Sequence, residues 1–88
     1  MPGIALVGRD SAGGLQLGQQ VSKVKIRGAA PVALGDHVMA HGEPPHAPDP
    51  VMVEASSKFR FGGLRICREG DHASCGHATT GQSFFKIP

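Results

Sequence analysis

The sequence predicts a small all-β domain of short β-hairpins with a pseudo-threefold repeat. Two stretches of the 88-residue chain align at a constant offset of 35 with no gap. In both, apolar residues alternate with basic ones, which is the period of a half-buried strand. Thirteen Gly and seven Pro oppose long helices, because each residue disfavours a helix interior. The length suits one domain, 1–88, with no second.

Set one above the other, SKVKIRGAAPVALGDH (Ser22 to His37) matches SKFRFGGLRICREGDH (Ser57 to His72). Lys23 meets Lys58, Lys25 meets Arg60, and Val24 and Ile26 meet Phe59 and Phe61. Gly28 meets Gly63, and Gly35-Asp36-His37 meets Gly70-Asp71-His72. Partial copies flank the pair. IALVG (Ile4 to Gly8) resembles the second half of the unit, and SFFKI (Ser83 to Ile87) resembles the first. Joined, they complete a third copy, so the termini are expected to meet inside one repeat.

Each unit reads as a hairpin. Lys23 to Arg27 and Lys58 to Phe61 form first strands with Val24, Ile26, Phe59 and Phe61 on one face. Lys23, Lys25, Arg27, Lys58 and Arg60 then form a solvated outer face. Gly28 and Gly62-Gly63 supply turns, where glycine accepts positive φ without a steric penalty. Second strands follow at Pro31 to Leu34 and Leu64 to Arg68, each closed by Gly-Asp. Cys67 aligns with Val32 and is expected as a small buried apolar residue. His37 and His72, each directly after Gly-Asp, are expected to help their aspartates fix the turn.

The loops after the Gly-Asp pairs carry the remaining chemistry. The first contains His41 and His46, the second Cys75 and His77. Three imidazoles and one thiolate make a closed tetrahedral set of the kind zinc takes. His41 lies five residues past Asp36 and Cys75 four past Asp71, nearly equivalent positions in the repeat. The stretch EPPHAPDP (Glu43 to Pro50) holds four prolines, so it reads as a stiff extended loop presenting His46. His37 or His72 in place of His77 is the open alternative in this ligand set.

Composition makes a metal useful. With no Trp, no Tyr and four Phe the core is thin, and a thin core in a small domain calls for a staple. Two cysteines in a chain expected to fold in the cytoplasm favour thiols or ligands over a disulfide. A net charge of +2 gives no strong basic footprint, so no nucleic-acid partner is expected. No apolar run approaches the roughly 20 residues of a membrane span, and the opening MPGIALVGRD lacks the pattern of a secretory signal. No Gly-x-Ser-x-Gly, Walker loop or His-Glu-x-x-His pattern is present. A closed ligand set also leaves no open coordination position, so an enzyme is not expected; a hydrolase using Glu43 as base is the weaker branch.

Together these stretches resemble the PAAR-repeat family, whose members cap the spikes of type VI secretion systems and contractile phage tails. The resemblance rests on a strand, a turn at Arg27-Gly28 or Gly62-Gly63, and then Ala30-Pro31-Val32-Ala33-Leu34-Gly35-Asp36 or Arg65-Ile66-Cys67-Arg68-Glu69-Gly70-Asp71. Pro2-Gly3-Ile4-Ala5 and Ser74-Cys75-Gly76 also look like family stretches. Two features depart from the pattern. The name-giving tetrapeptide keeps its arginine only at Arg68, and the first loop reads Ser11-Ala12-Gly13-Gly14 where a histidine is usual. The resemblance implies a small conical domain, its loops converging on a Zn2+ site at the apex, held by three His and one Cys. His41, His46, Cys75 and His77 fill that set here. It also implies a monomeric tip that caps a trimeric β-helical spike protein, one tip per trimer, with Phe84, Phe85 and Ile87 in the base or its nearby core. Such a tip is made in the cytoplasm, assembled on a phage tail or secretion spike, delivered out of the cell, and touches membrane transiently during piercing. A free-standing zinc domain that binds protein or nucleic acid is the alternative reading.

Overall fold

The computed structural model describes residues 1–18, 20, 21, 23–42 and 49–88. The described residues form short antiparallel strand pairs and no helix. Strands β1 (Gly3–Ile4) and β6 (Gln82–Lys86) pair with each other, as do β2 (Gln16–Gly18) and β3 (His37–Val38), and β4 (Arg60–Phe61) and β5 (Leu64–Arg65).

The first strands are shorter than the alternation predicts: Lys23 to Arg27 keeps only an isolated bridge at Ile26, and Lys58 to Phe61 only the two residues of β4. The second strands pair mainly outside their own hairpins. The residues next to each turn lie back along their own hairpin, while three segments (3–8, 30–35 and 65–70) pair with one another around a ring. Val7 N–H donates to Ala30 O, Leu34 N–H to Arg65 O, and Glu69 N–H to Gly3 O, each at 2.8 Å. Val32 N–H donates to Ala5 O (2.9 Å), Cys67 N–H to Val32 O (2.8 Å), and Ala5 N–H to Cys67 O (3.1 Å). Every pairing repeats the same two bonds, so each segment satisfies its backbone through both neighbours and no edge is left along it. The internal repeat is the cause. Residues 3, 5 and 7 stand to 30, 32 and 34 as those do to 65, 67 and 69. The molecule has one long axis and two nearly equal short ones, 32 × 23 × 22 Å.

Hairpins sit at one end of the ring segments. Ile26 and Ala29 exchange both backbone bonds across Arg27-Gly28, and Phe61 and Leu64 flank Gly62-Gly63. All four turn residues have positive φ: 51° and 83° in the first, 57° and 82° in the second. That is the two-residue turn whose twist suits a hairpin. Arg27 carries the left-handed backbone without glycine's freedom. It is held by a hydrogen bond from the Arg9 guanidinium to its carbonyl and by its own guanidinium, 3.8 Å over the Phe84 ring. In the third copy the turn is missing and the termini meet: Lys86 pairs with Gly3, and Ile87 N–H donates to Pro2 O.

Alternation divides the apolar side chains into two clusters. Ile4, Leu6, Ala33, Ile66 and Ile87 are buried with the inward faces of the hairpins: Val24, Ile26, Phe59, Phe61, Leu64 and Phe85. Phe59 meets Phe61 and Phe85 edge-on, with centroids 5.0 and 6.2 Å apart. Ala5, Val32 and Cys67, the three ring positions, are buried in the other cluster with Ala12, Val38, Met52, Ala55 and Ala73. Cys67 thus behaves as the small apolar residue its alignment with Val32 predicts. Its thiol donates to Glu54 O at 3.4 Å. Burial, and then the nearby Asp71 and Asp36 carboxylates, push its pKa far up.

At the other end of the segments each turn is closed by a buried carboxylate. Asp36 Oδ2 accepts from Ala33 N–H (2.7 Å), Asp71 Oδ2 from Arg68 N–H (2.8 Å), and Asp10 Oδ2 from Leu6 N–H (2.8 Å). Their neighbouring histidines do not assist, contrary to the sequence expectation. Gln20 donates its side-chain N–H to Asp36 (2.8 Å), and Arg68 pairs with Asp71 (2.9 Å). His72 instead points its Nδ1 at Glu54 Oε1, 2.5 Å away, and that bond holds the Glu54 carboxyl below its usual pKa. His37 is exposed. A backbone donor beside each aspartate already fills the role, so the imidazole is free to turn outward.

Candidate metal centre

Immediately after the three aspartates the chain makes three loops, each pinched shut by an equivalent bridge. Ser11 pairs with Leu15, His37 with Val51, and His72 with Ala78. The equivalence extends one residue further, where Gln16, Met52 and Thr79 each return a hydrogen bond to the turn before them. These three side chains meet: Gln16 Nε2 donates to Thr79 Oγ1 at 2.9 Å and lies 3.3 Å from Met52 Sδ. On this shared footing the loops differ in length. They span 12–14, 38–50 and 73–77, and their Ala12, Val38, Ala73 and Cys75 pack with Ala5, Val32 and Cys67, on the other face of the ring from the hairpin cluster.

The longest loop is tied at both ends. Val38 N–H donates to Pro50 O (2.8 Å) and Ala40 N–H to Asp49 Oδ1 (3.1 Å). This closure directs His41 back toward the other two loops. In the third loop, Ala73 N–H donates to His77 O and Gly76 N–H to Ala73 O, a tight turn that sets Cys75 and His77 on one side. Met39 N–H donates to Leu15 O and Ser74 N–H to Val51 O, linking neighbouring loops.

His41, Cys75 and His77 come together as a result. One ligand atom from each lies within 4.8 Å of the others, so the group can hold a metal ion. Two of its features fit a tetrahedral thiolate–imidazole site. His41 Nε2 lies 3.6 Å from Cys75 Sγ, and a tetrahedral zinc with ordinary bond lengths separates S and N ligands by about 3.6 Å. His41 Nδ1 bonds Met39 O at 2.9 Å, which assigns the proton to Nδ1 and leaves the Nε2 lone pair facing the cluster. The His41 and His77 rings meet edge to face, with centroids 5.0 Å apart. Cys75 is half-buried and packs against the cluster containing Ala5, Val32 and Cys67, while Cys67 itself is fully buried as a thiol.

Of the four ligands expected from sequence, three are therefore adjacent, and His46 lies outside the described residues. His37 and His72 stand in the bridges at the feet of their loops and are not members of the group. The shortest loop contributes space. A Cβ on Gly13 would come within 2.7 Å of both His41 Nε2 and His77 Cδ2, and one on Gly14 within 2.8 Å of His41 Nδ1. Sequence reasoning read this loop only as lacking a histidine. Its two glycines form the floor on which both imidazoles rest.

Of the C-terminal residues expected at the base, Ile87 is a core residue, 1% exposed, and Phe85 is half-buried against that core. Phe84 is exposed under Arg27. No family model matches the chain, and no curated protein matches it.

Proposed function

We propose that this protein is a metal-locked spike tip of the PAAR-repeat kind, capping a trimeric β-helical spike of a contractile injection machine. The observation that carries the reading is the closed threefold ring of backbone bonds, with His41, Cys75 and His77 gathered from loops at one end of it. A single chain that repeats itself three times around an axis can meet three identical subunits with equivalent contacts. His41, Cys75 and His77, with His46 as the fourth donor expected from sequence, would hold Zn2+. When bound, the ion cross-links the loops beside the small apolar cluster of Ala12, Val38, Met52 and Ala73 on which they pack. The residues themselves do the positioning: Met39 O orients His41, and Gly13-Gly14 seats both rings. The domain does no chemistry in this reading. It stiffens and closes a blunt end that is driven through a membrane.

Elemental mass spectrometry of untagged protein tests the site. About one zinc per chain is expected, lost in Cys75→Ser, His41→Ala and His77→Ala and kept in His37→Ala. Sedimentation with a trimeric β-helical spike tests the partner, with one tip per trimer expected. A metal-free wild type that is stably folded would sink the metal-locked tip.

A further inference from the structure

The hairpin end of the molecule carries charge of one sign. Segments 22–29, 57–64 and 83–87 contain Lys23, Lys25, Arg27, Lys58, Arg60 and Lys86 and no acidic residue. All six are exposed. Three of the chain's seven acidic residues are consumed internally, as Asp10, Asp36 and Asp71 close the buried turns. The exposed acidic residues among those described, Asp49, Glu54 and Glu69, lie outside the hairpins. The modest net charge of +2 therefore conceals a molecule divided into a cationic hairpin end and a loop end carrying the histidines.

The cations repeat with the fold. Lys25, Arg60 and Lys86 are equivalent in the three copies, each between apolar residues that turn inward to the shared cluster. Lys23 and Lys58 are equivalent too, and the third copy has Phe84 at that position. There the Arg27 guanidinium lies across the Phe84 ring, returning a positive charge to the position that lost its lysine. Beside the first hairpin a cleft of about 380 Å³ is walled by Val21, Val24, Phe61 and Leu64, with Lys23 at its lining. An apolar centre with a polar, charged rim is the anatomy of a specific protein interface.

We infer that the partner surface is threefold and acidic: each subunit of the spike presents a carboxylate to the Lys25, Arg60 or Lys86 of one copy, beside an apolar residue that packs on the hairpin cluster. This rests on the spike-tip reading and names the chemistry of its partner. Complementary charge raises the encounter rate and fixes rotational register, whereas the apolar centre alone would leave the tip free to seat in several orientations. Nucleic acid or an anionic membrane would also attract cations. Neither has a reason to find them at three equivalent positions around an apolar cluster.

The test uses the full chain, loaded with zinc, and two forms of one trimeric β-helical spike, with Asp or Lys at its blunt-end rim. Binding is measured by titration calorimetry at 50, 150 and 300 mM NaCl. Expected is one tip per acidic-ended trimer, with affinity falling about tenfold or more across that salt range. The Lys25→Glu/Arg60→Glu/Lys86→Glu variant should bind the acidic-ended spike roughly 30-fold more weakly and should prefer the lysine-ended one. The wild-type salt series stands on its own if the variant loses its circular dichroism or zinc. Equal, salt-insensitive binding to both spikes would overturn the charge inference and leave the spike-tip reading intact. Failure to bind either spike would overturn both. Tighter binding at 150 mM to duplex DNA or to phosphatidylserine vesicles than to the acidic-ended spike would also overturn the charge inference.

Discussion

Gly13→Ala should remove the metal before it removes the fold, and Gly8→Ala is its matched control. Both glycines have a left-handed backbone, φ +82° and +77°. Alanine in that region costs about 1–2 kcal/mol, offset by roughly 0.4–1 kcal/mol from the stiffer unfolded chain. Either substitution therefore lowers stability by about 1 kcal/mol, or on the order of 5 °C in Tm for a domain of this size. They differ in what the new methyl group meets. At Gly8 there is nothing within 4 Å, whereas at Gly13 His41 Nε2 and the His77 ring lie at 2.7 Å. Ordinary contact begins near 3.4 Å, so both rings must withdraw by about 0.7 Å. Metal–ligand distances tolerate only about 0.2 Å. Disturbing a ligand's support costs 10- to 100-fold in affinity, and with two ligands displaced the loss should be about 100-fold, or ~2.8 kcal/mol.

Zinc affinity is read by competition with a chromophoric chelator at neutral pH, and Tm is read with and without EDTA. In EDTA the two variants should unfold within a few degrees of each other, because unligated imidazoles can swing clear of the methyl group. With zinc, Gly8→Ala should regain wild-type stabilisation and Gly13→Ala should not. Equal zinc affinities for the two variants would refute the claim that the short loop shapes the site.

Two further outcomes concern the frame. Asp36→Ala strips the acceptor from the buried Ala33 N–H and from both Gln20 donors. Charged hydrogen bonds of this kind are worth roughly 1.5–3 kcal/mol, and an orphaned donor adds to the loss. Urea denaturation should show a deficit of about 3 kcal/mol against near-neutrality for His37→Ala; similar values for the two would remove the carboxylate's assigned role. Cys67 gives a pH dependence. Its pKa is raised in the folded state, so folded protein keeps a proton that the unfolded thiol releases above about pH 8.5. That contribution is complete below this pH and declines above it by ~1.4 kcal/mol per pH unit. Denaturation of the chelated protein at pH 8, 9 and 10 should show the slope, and Cys67→Ala should lack it; parallel slopes would contradict a buried neutral thiol.

Much of the frame was legible because it repeats. The match of Ser22–His37 to Ser57–His72 located both glycine turns, the inward faces of Val24, Ile26, Phe59 and Phe61, and the meeting of the termini. It did not reveal how the second strands pair. Strands of two or three residues carry too little alternation to name a partner, and Pro31 to Leu34 fits its own hairpin as well as it fits a neighbour in a ring. Asp10 was missed for a related reason. Arg9 is inserted between its glycine and its aspartate, which hides the third Gly-Asp from an ungapped alignment. At the site, residue chemistry pointed to His41, Cys75 and His77. Gly13-Gly14 carried no signal, since steric room beside an imidazole leaves no trace in spacing.

The repeated histidines show why symmetry alone misleads here. His37 and His72 occupy equivalent positions, with Ser11 as the third, and that equivalence invites a shared role. Equivalent positions around an axis are held at the separation the ring dictates, and these three are engaged in bridges that pinch the loops. Donors to one ion must lie closer together than that, and the three that meet here, His41, Cys75 and His77, do not occupy equivalent positions of the copies. The site therefore has to be built where the copies differ. The loop over 12–14 is shortened to Ala12 and two bare glycines, 73–77 tightens to bring Cys75 and His77 to one side, and 38–50 lengthens until His41 reaches across to both. The regular ring supplies a rigid frame, and the unequal loops use it to assemble one centre that none of the copies could make alone.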